Sequence, residues 1–489
     1  MRRFNYQFVL NTIGLLLVIE AIFMLFSAFV GEYYNETAVK SIYLSALITF
    51  STGMVITFLV RKRRRTAGNN ITKREVFLTV TLSWLMMALF GTLPYLISGA
   101  IPSFTNAFFE SMCGFTTTGS STLVNIEAFP KSLHFWRSFT QWIGGIGIII
   151  FVLSFMPIFG GTSTQFYEAE ATGIAEDQFN TRISEITKQM AFTYLGLTII
   201  GFFFLWAGPM DAFDAACHTL TAISTGGFST KQASIAFFNS PYTEYVITML
   251  MFLGGTNFLL ISTLVTRFKA TILRDEEFKW YFLIIALFTV GITVALLVSR
   301  QMNDIEQTFR IVLFQVVAAV TTTGFATTDF QLWGSSYWLL FLTMILFCGS
   351  EGSTSGGMKI SRLIALSKNS LLVFKRQVHP NALYVVKINR KVITVETLSR
   401  LFAFVFLYVT ITVISAVVLG LTGMNFEESI GVSLSSISNY GFGLGSYGPS
   451  GTFESATPFM KYYLSFLMLV GRLEIFTVLS LFIPGFWKR

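Results

Sequence analysis

Four short runs rich in threonine, serine and glycine decide how this chain folds. They read Phe115-Thr116-Thr117-Thr118-Gly119-Ser120, Ile223-Ser224-Thr225-Gly226-Gly227-Phe228, Thr321-Thr322-Thr323-Gly324-Phe325 and Ser438-Asn439-Tyr440-Gly441-Phe442-Gly443. Their central glycines, Gly119, Gly226, Gly324 and Gly441, are 107, 98 and 117 residues apart. Recurrence at this spacing indicates a fourfold repeat of roughly 100-residue units.

Each run follows a segment of about a dozen residues with helical character. Examples are 214–223 and 425–437, and three of the four segments begin near an acidic residue. A helix of about 10 to 14 residues in an apolar chain is better interpreted as re-entrant than as membrane-spanning. The repeated unit is therefore predicted to be a span, a half-helix, a glycine-rich loop and a second span.

The composition identifies a membrane protein. Of 489 residues, 53% are hydrophobic and 12% are charged, with a mean hydropathy of +0.64. Soluble domains carry about 25% charged residues, so soluble, disordered and coiled-coil classes are excluded. Apolar stretches long enough to span lie near 8–30, 42–60, 76–98, 142–159, 190–208, 245–265, 280–298, 337–366, 401–421 and 462–483. The predicted fold is an all-α integral membrane protein with ten transmembrane helices and four re-entrant pore loops in pseudo-fourfold repeats.

The basic residues predict the orientation. Ten spans place both termini on one side, which receives 25 of the 34 Lys and Arg residues, against 7 on the other side. The positive-inside rule makes the side with the termini cytoplasmic. Basic clusters at 61–65, 267–279 and 359–391 fit contact with anionic lipid headgroups or docking of a cytoplasmic partner, and they require no nucleic acid. The opposite side carries 13 Asp and Glu residues, a balance that concentrates cations there.

Non-helical backbone at membrane depth must be buried in protein or line water. Four such loops satisfy this condition best by meeting on a common axis. Their backbone carbonyl oxygens could then replace the hydration shell of a monovalent cation, and the half-helix C-terminal ends would direct negative dipole toward it. A single threonine-rich run is more often a simple helix-capping turn, but four matched copies predict cation permeation.

The eighth span is interrupted by Gly349-Ser350-Glu351-Gly352-Ser353-Thr354-Ser355-Gly356-Gly357. Each glycine costs a helix roughly 1 kcal/mol relative to alanine, so the helix is predicted to break here, either as a packing kink or as a functional loop. Arg472 lies within the last span, where a buried arginine marks a functional site or a structural ion pair. We hypothesise that Glu351 pairs with Arg472. Glu20, in the first span, is interpreted as a structural acid or a proton site.

No enzyme chemistry is indicated. Cys113, Cys217 and Cys348 are isolated in apolar sequence, without metal-ligand spacing. The three histidines, His134, His218 and His379, form no catalytic arrangement. A voltage sensor would show regularly spaced arginines on one span, and a scaffold role would leave four loops unexplained.

The chain resembles the Trk/Ktr superfamily of potassium transporters, most closely the TrkH branch. Besides the four loops, the resemblance rests on 141–147 (QWIGGIG), 168–190, 252–258 (FLGGTNF), 352–359 (GSTSGGMK), 379–382 (HPNA) and 471–477 (GRLEIFT). The two spans before the first repeat resemble the Trk type rather than the shorter Ktr type. The implied units are two extra helices with a basic loop at 1–70 and pore repeats at 71–189, 190–279, 280–396 and 397–489.

The resemblance implies K⁺ uptake across the bacterial inner membrane through a channel-like pore, with a K⁺ symporter coupled to H⁺ or Na⁺ as the alternative. It further implies a homodimer with one pore per subunit and a cytoplasmic TrkA-type ring that binds NAD(H) or adenine nucleotides. K⁺ is the transported ion, and no organic cofactor is expected in this chain.

The resemblance also assigns residues to roles. Ion contacts are expected at Thr117, Thr118, Gly119, Ser224, Thr225, Gly226, Thr322, Thr323, Gly324, Asn439, Tyr440 and Gly441. Gating is expected at Gly349, Glu351, Gly352, Ser353, Thr354, Gly356, Gly357, Lys359 and Arg472. The break in the eighth span is thereby expected to lie under the filter and to close the pore, whereas Glu351 departs from the small residue expected there.

Overall fold

A computed structural model describes residues 4–62, 72–159, 176–267, 270–389 and 391–487. Its helices are α1 (Tyr6–Tyr33), α2 (Val39–Lys62), α3 (Lys73–Gly91), α4 (Leu93–Ile97), α5 (Phe104–Phe115), α6 (Lys131–Phe159), α7 (Glu176–Trp206), α8 (Ala212–Ile223), α9 (Pro241–Gly254), α10 (Phe258–Arg267), α11 (Glu276–Val298), α12 (Ile305–Val320), α13 (Ser335–Leu346), α14 (Ile360–Val378), α15 (Val395–Leu421), α16 (Phe426–Ser438), α17 (Pro458–Arg472), α18 (Ile475–Leu479) and α19 (Pro484–Trp487). The strands are β1 (Phe347–Cys348), β2 (Met358–Lys359), β3 (Lys387–Ile388) and β4 (Lys391–Val392). The chain is therefore mostly helical, as predicted.

Six continuous helical segments of the described residues are long and apolar enough to cross a membrane. They are Tyr6–Tyr33, Val39–Val60, Lys73–Ile97, Glu185–Trp206, Glu276–Val298 and Val395–Leu421. Two helix pairs pass the same test together but are sharply bent, α9 with α10 by 105° and α17 with its continuation to Phe482 by 115°. The stretches 245–265 and 462–483, predicted as single spans, are each broken in two.

Local sequence explains both bends. In the first, Gly254 and Gly255 weaken the helix, and Asn257 Oδ1 accepts a hydrogen bond from the Leu259 amide, which starts α10. In the second, Glu474 adopts a left-handed backbone conformation with φ of 63°. A helix cannot continue through that conformation, so a new one starts at Ile475.

The eighth predicted span is interrupted where its glycines and serines are concentrated. Helix α13 ends at Leu346 and α14 begins at Ile360. Between them β1 and β2 pair in parallel, with Phe347 opposite Met358 and Cys348 opposite Lys359. This pairing closes the intervening chain into a loop, and residues 349–357 of it are called the intramembrane loop below.

The four short helices α5, α8, α12 and α16 contain 12, 12, 16 and 13 residues, close to the predicted length. Three of them have an acidic residue at the N-cap or in the first turn. Asp211 caps α8 and Asp304 caps α12 through their side chains, and Asn425 with Glu428 forms a capping box at α16. Two sequence features fall largely outside the described residues: the basic cluster 61–65 from residue 63 onward, and residues 168–175 of the family stretch.

Candidate ion pathway

All four short helices end in the same backbone motif. A residue just beyond each helix end, the second in three copies and the first in the fourth, is left-handed: Thr117 (φ 51°), Thr225 (φ 53°), Thr322 (φ 55°) and Asn439 (φ 56°). In the first copy, the Thr117 amide donates to the carbonyl of Gly114 and the Thr118 amide donates to that of Cys113, both at 2.9 Å. This pair of hydrogen bonds is a Schellman motif, and the other three copies reproduce it.

We call these four left-handed residues the corners of the loops. For most of them, the backbone conformation is unfavourable for the residue type. A β-branched residue rarely adopts a left-handed conformation, and three of the four corners are threonine. Each such residue costs about 1–3 kcal/mol, which the surrounding structure must offset. This strain at three matched threonines indicates that a side chain is required at these positions, whereas the asparagine at the fourth adopts the conformation more readily.

Two residues beyond each corner the chain reaches a glycine with positive φ. These glycines are Gly119 (φ 88°), Gly227 (φ 77°), Gly324 (φ 72°) and Gly441 (φ 100°). A Cβ at each would overlap one backbone carbonyl oxygen of the next loop: Gly119 that of Gly226, Gly227 that of Thr323, Gly324 that of Tyr440, and Gly441 that of Thr118. Because the fourth contact returns to the first loop, the four loops form a closed ring around one axis.

The contacts of the ring show that the second loop aligns with the other three one residue later than the sequence pattern suggested. The sequence pattern takes Gly226 as the central glycine, but Gly227 occupies the position of Gly119, Gly324 and Gly441. Gly226 lies instead at the position of Thr118, Thr323 and Tyr440. The sequence did contain a signal for this register, since a phenylalanine follows the ring glycine at Phe228, Phe325 and Phe442.

Side-chain amides hold two of the loops in place. Gln141 Nε2 donates to the carbonyl of Gly226 at 2.7 Å, and its Oε1 accepts from the Phe228 amide at 3.1 Å. Asn439 Nδ2 donates to Thr118 Oγ1 at 3.1 Å and to the carbonyl of Met468 at 2.9 Å. The amide of Asn439 therefore links the fourth loop to the first and to α17.

Two uncharged oxygen atoms at the corners remain without a partner among the described residues. They are Thr117 Oγ1 and Asn439 Oδ1, and both residues are almost completely buried. Buried polar atoms nearly always accept or donate a hydrogen bond, so these oxygens are available to a bound cation or to water. Neutral oxygen ligands suit a weakly held alkali ion better than a tightly bound divalent one.

A buried ion pair connects two of the segments that surround the ring. Arg137 Nε lies 2.5 Å from Glu110 Oε1, and both side chains are excluded from solvent. Glu110 also accepts from the Thr122 amide at 3.0 Å, and Arg137 donates to the carbonyl of Ser229 at 2.9 Å. The pair therefore joins the segments that follow the first and second loops.

We expect Arg137→Met to lower the melting temperature of the purified protein, because it leaves the Glu110 carboxylate buried without its partner. Breaking a buried pair from one side costs about 3–5 kcal/mol. The double variant Glu110→Leu/Arg137→Met leaves no buried charge, so it should be more stable than the single variant. Arg300→Met, at an exposed arginine, is the control. Equal destabilisation in the single and double variants would contradict this role for the pair.

The intramembrane loop lies against the corners of the ring. The Gly356 amide donates to Thr322 Oγ1 at 2.7 Å, and Thr354 Oγ1 donates to the carbonyl of Ile223 at 2.9 Å. The Ser350 amide donates to the carbonyl of Gly255, at the bend between α9 and α10, at 2.8 Å. The loop is thus fastened to the second and third repeats immediately beside their threonine corners.

Arg472, in the fourth repeat, also contacts the intramembrane loop. Its Nη1 donates to the carbonyl of Thr354 at 2.7 Å and its Nη2 to that of Gly144, in α6, at 3.0 Å. The hypothesised pair with Glu351 is not among the ion pairs that the described residues form, and carbonyl oxygens take its place. The Glu351 amide instead donates to Glu277 Oε1 at 2.7 Å, and its carboxylate accepts from Ser361 Oγ at 3.3 Å.

The remaining gating candidates shape the loop itself. Gly349, Gly352 and Gly357 have positive φ, and Ser353 Oγ donates to the carbonyl of Ser350 at 2.6 Å. Lys359 Nζ donates to the carbonyl of Ser355. These local hydrogen bonds give the loop a defined shape without a regular helix.

Outside the ring, the part of the chain that the structure describes shows no second candidate ion site. Glu20 is buried with neither carboxylate oxygen bonded among the described residues, and His218 bonds to the Asp214 carbonyl and to Ser229 Oγ. No cluster of three or more His, Cys, Asp or Glu side chains that could hold a metal occurs in the described ranges.

The family model for TrkH, described as a cation transport protein, matches residues 40–488. The chain belongs to the TrkH family. The Trk system potassium uptake protein TrkH of Escherichia coli K12 is 33% identical to it over 99% of this chain and 100% of its own length. TrkG of the same organism is 29% identical over 99% of both chains. The crystal structure of the potassium transporter TrkH from Vibrio parahaemolyticus superposes with a TM-score of 0.90 at 30% identity, covering 99% of this chain and 100% of the other.

Membership of the TrkH family settles the general class. The chain is a multi-pass membrane protein of a potassium transport family and not an enzyme. The family resemblance inferred from the loop motifs and the other quoted stretches is therefore confirmed.

Proposed function

We propose that this chain carries K⁺ across the bacterial inner membrane through a channel-like pore on the axis of the four loops. The main support for this proposal is the closed ring of contacts between glycines and carbonyl oxygens. This ring requires all four loops to surround a common axis. The relatives indicate the ion, since TrkH and TrkG of Escherichia coli K12 are both named potassium uptake proteins.

The proposed filter consists of backbone and side-chain oxygens of the loops. Its residues are Thr117, Thr118, Gly119, Ser224, Thr225, Gly226, Gly227, Thr322, Thr323, Gly324, Asn439, Tyr440 and Gly441. Carbonyl oxygens can replace the water shell of K⁺ without adding net charge. The C-terminal ends of four short helices, each carrying about half a negative charge, stabilise the cation further.

We propose ten spanning segments, with the pore repeats at 71–189, 190–279, 280–396 and 397–489 after two additional helices. The bias of Lys and Arg toward the side of the termini supports cytoplasmic termini. In this orientation the cytoplasmic side of the filter is covered by the intramembrane loop and Arg472. The guanidinium adds an electrostatic barrier to a cation leaving the filter, and the loop adds a steric one.

Regulation and assembly are proposed from the family. A homodimer and a cytoplasmic TrkA-type ring that binds NAD(H) or adenine nucleotides fit the term "Trk system" in the relatives' names. Helix α14 follows the intramembrane loop directly and bears exposed Lys375 and Arg376 in its last turn. These basic groups suit either an acidic partner surface or anionic lipid headgroups.

Current measurements in proteoliposomes would test the function. For a K⁺ uniporter, we expect the reversal potential to follow the K⁺ gradient and to stay constant when pH or Na⁺ is changed on one side. A shift with pH or Na⁺ would favour the symporter, for which buried Glu20 is a candidate proton site. Liposomes that contain the folded protein but pass no K⁺ under any gradient would contradict both forms.

A further inference from the structure

A small cavity of about 50 Å³ opens onto the ring from the side opposite the intramembrane loop. We call it the mouth cavity, and its floor includes Gly119, Gly227 and Gly441. Its walls come from the segments that follow the first, second and fourth loops. Any cation entering the ring from this side passes through the mouth cavity.

The described residues that line the mouth cavity include two cationic side chains and no carboxylate. Arg137 is neutralised by Glu110 and almost fully buried. The side chain of Lys231 is 22% exposed and its ion pair with Asp214 is longer, at 3.3 Å, so its ammonium is the less compensated of the two charges. A positive group at this place is unexpected for a cation pathway, whose mouths usually carry acidic residues.

The ammonium of Lys231 pairs with the carboxylate of Asp214 at the wall of the cavity. Its Nζ lies 3.3 Å from Asp214 Oδ2 and 4.7 Å from the centre of the Phe237 ring. The other oxygen of Asp214 accepts from Thr230 Oγ1 at 2.7 Å, which fixes the carboxylate. A separation of 3.3 Å is long for a charge-assisted hydrogen bond, which is usually 2.7–2.9 Å, so the lysine is loosely tethered.

We propose that Lys231 sets the apparent K⁺ affinity of the pore mouth by repelling cations, and that Asp214 limits this repulsion by holding the ammonium at the wall. The inference rests on the proposed K⁺ pathway. Removing one positive charge raises the local cation concentration and lowers the KM for K⁺. The effect acts through solvent and falls as added salt shortens the screening length.

The test is K⁺ uptake into proteoliposomes at low ionic strength, repeated with an impermeant salt on the mouth side. We expect Lys231→Met to lower KM by about threefold, the factor for one unit charge acting across several ångströms of water. Lys231→Arg keeps the charge and should retain the wild-type KM. In added salt, the difference between Lys231→Met and wild type should disappear.

Asp214→Asn should shift KM in the opposite direction, because it releases the ammonium toward the axis. Lys131→Met is the matched control, since it removes a lysine from the same predicted face outside the cavity lining. An unchanged KM in Lys231→Met, or a change that persists equally in high salt, would overturn the inference. Wild-type protein that passes no K⁺ would instead contradict the proposed function, so the two failures are distinct.

Discussion

Alanine at Gly227 is expected to abolish K⁺ uptake, whereas alanine at Gly226 should reduce it less. Gly227 has a φ of 77°, and a Cβ there would overlap the carbonyl oxygen of Thr323, which belongs to the ring itself. A combined strain of about 3 kcal/mol corresponds to a loss of about a hundredfold or more in conducting protein. At Gly226 the nearest atoms to the Cβ belong to the side-chain amide of Gln141, so a shift of that side chain, at the expense of its hydrogen bonds, could accommodate alanine.

Gly99→Ala provides a matched control for this prediction. Gly99 has a φ of 72°, close to that of Gly227, but nothing lies within 4 Å of a Cβ built there. The control therefore imposes the left-handed strain without the overlap and should retain uptake. Rubidium tracer uptake in a bacterial strain lacking its own K⁺ uptake systems, normalised to membrane protein, provides the measurement. A Gly227→Ala variant more active than Gly226→Ala would contradict the register of the second loop.

Replacing Arg472 by alanine is expected to raise K⁺ flux when no regulatory partner is present. The arginine joins the intramembrane loop to α6 through the carbonyls of Thr354 and Gly144. Hydrogen bonds from a charged group contribute about 1.5–3 kcal/mol each, so their loss shifts the balance between closed and open loop by about tenfold or more. The electrostatic barrier below the filter is lost at the same time.

Arg472→Lys separates these two effects. Lysine retains the charge but lacks the planar fork that reaches two carbonyl oxygens, so the variant should show an intermediate flux. Single-channel recording or K⁺ efflux from proteoliposomes measures the open fraction directly. Unchanged or lower flux in correctly folded Arg472→Ala protein would contradict a closing role for this arginine.

The sequence predicted the repeated elements well because each is encoded locally. The four short helices were found from their length, their acidic N-terminal residues and the Thr-Gly runs that end them. The break in the eighth span followed from four glycines within nine residues, which no helix accommodates cheaply. These signals depend on propensity and hydropathy within a few residues, so they required no knowledge of distant contacts.

The errors arose where a local pattern had two interpretations. Two adjacent glycines at 226–227 allowed two registers, and only the contact of Gly227 with the third loop selects one. The bends within 245–265 and 462–483 were missed because apolar composition alone is the same for a straight and a broken span. Arg472 was hypothesised to pair with Glu351, but its guanidinium donates instead to the backbone carbonyl oxygens of Thr354 and Gly144.

The order of apolar segments, the fourfold repeat and the membership of a potassium transport family were contained in the sequence alone, because hydropathy and residue type along the chain determine them. Only the tertiary structure decided which glycine of the second loop faces its neighbour, which groups hold the intramembrane loop, and that Lys231 faces the mouth cavity. Contacts such as those of Gly227 with Thr323 and of Arg472 with Thr354 bring together atoms more than 90 residues apart in the chain. No pattern within one segment specifies such a contact.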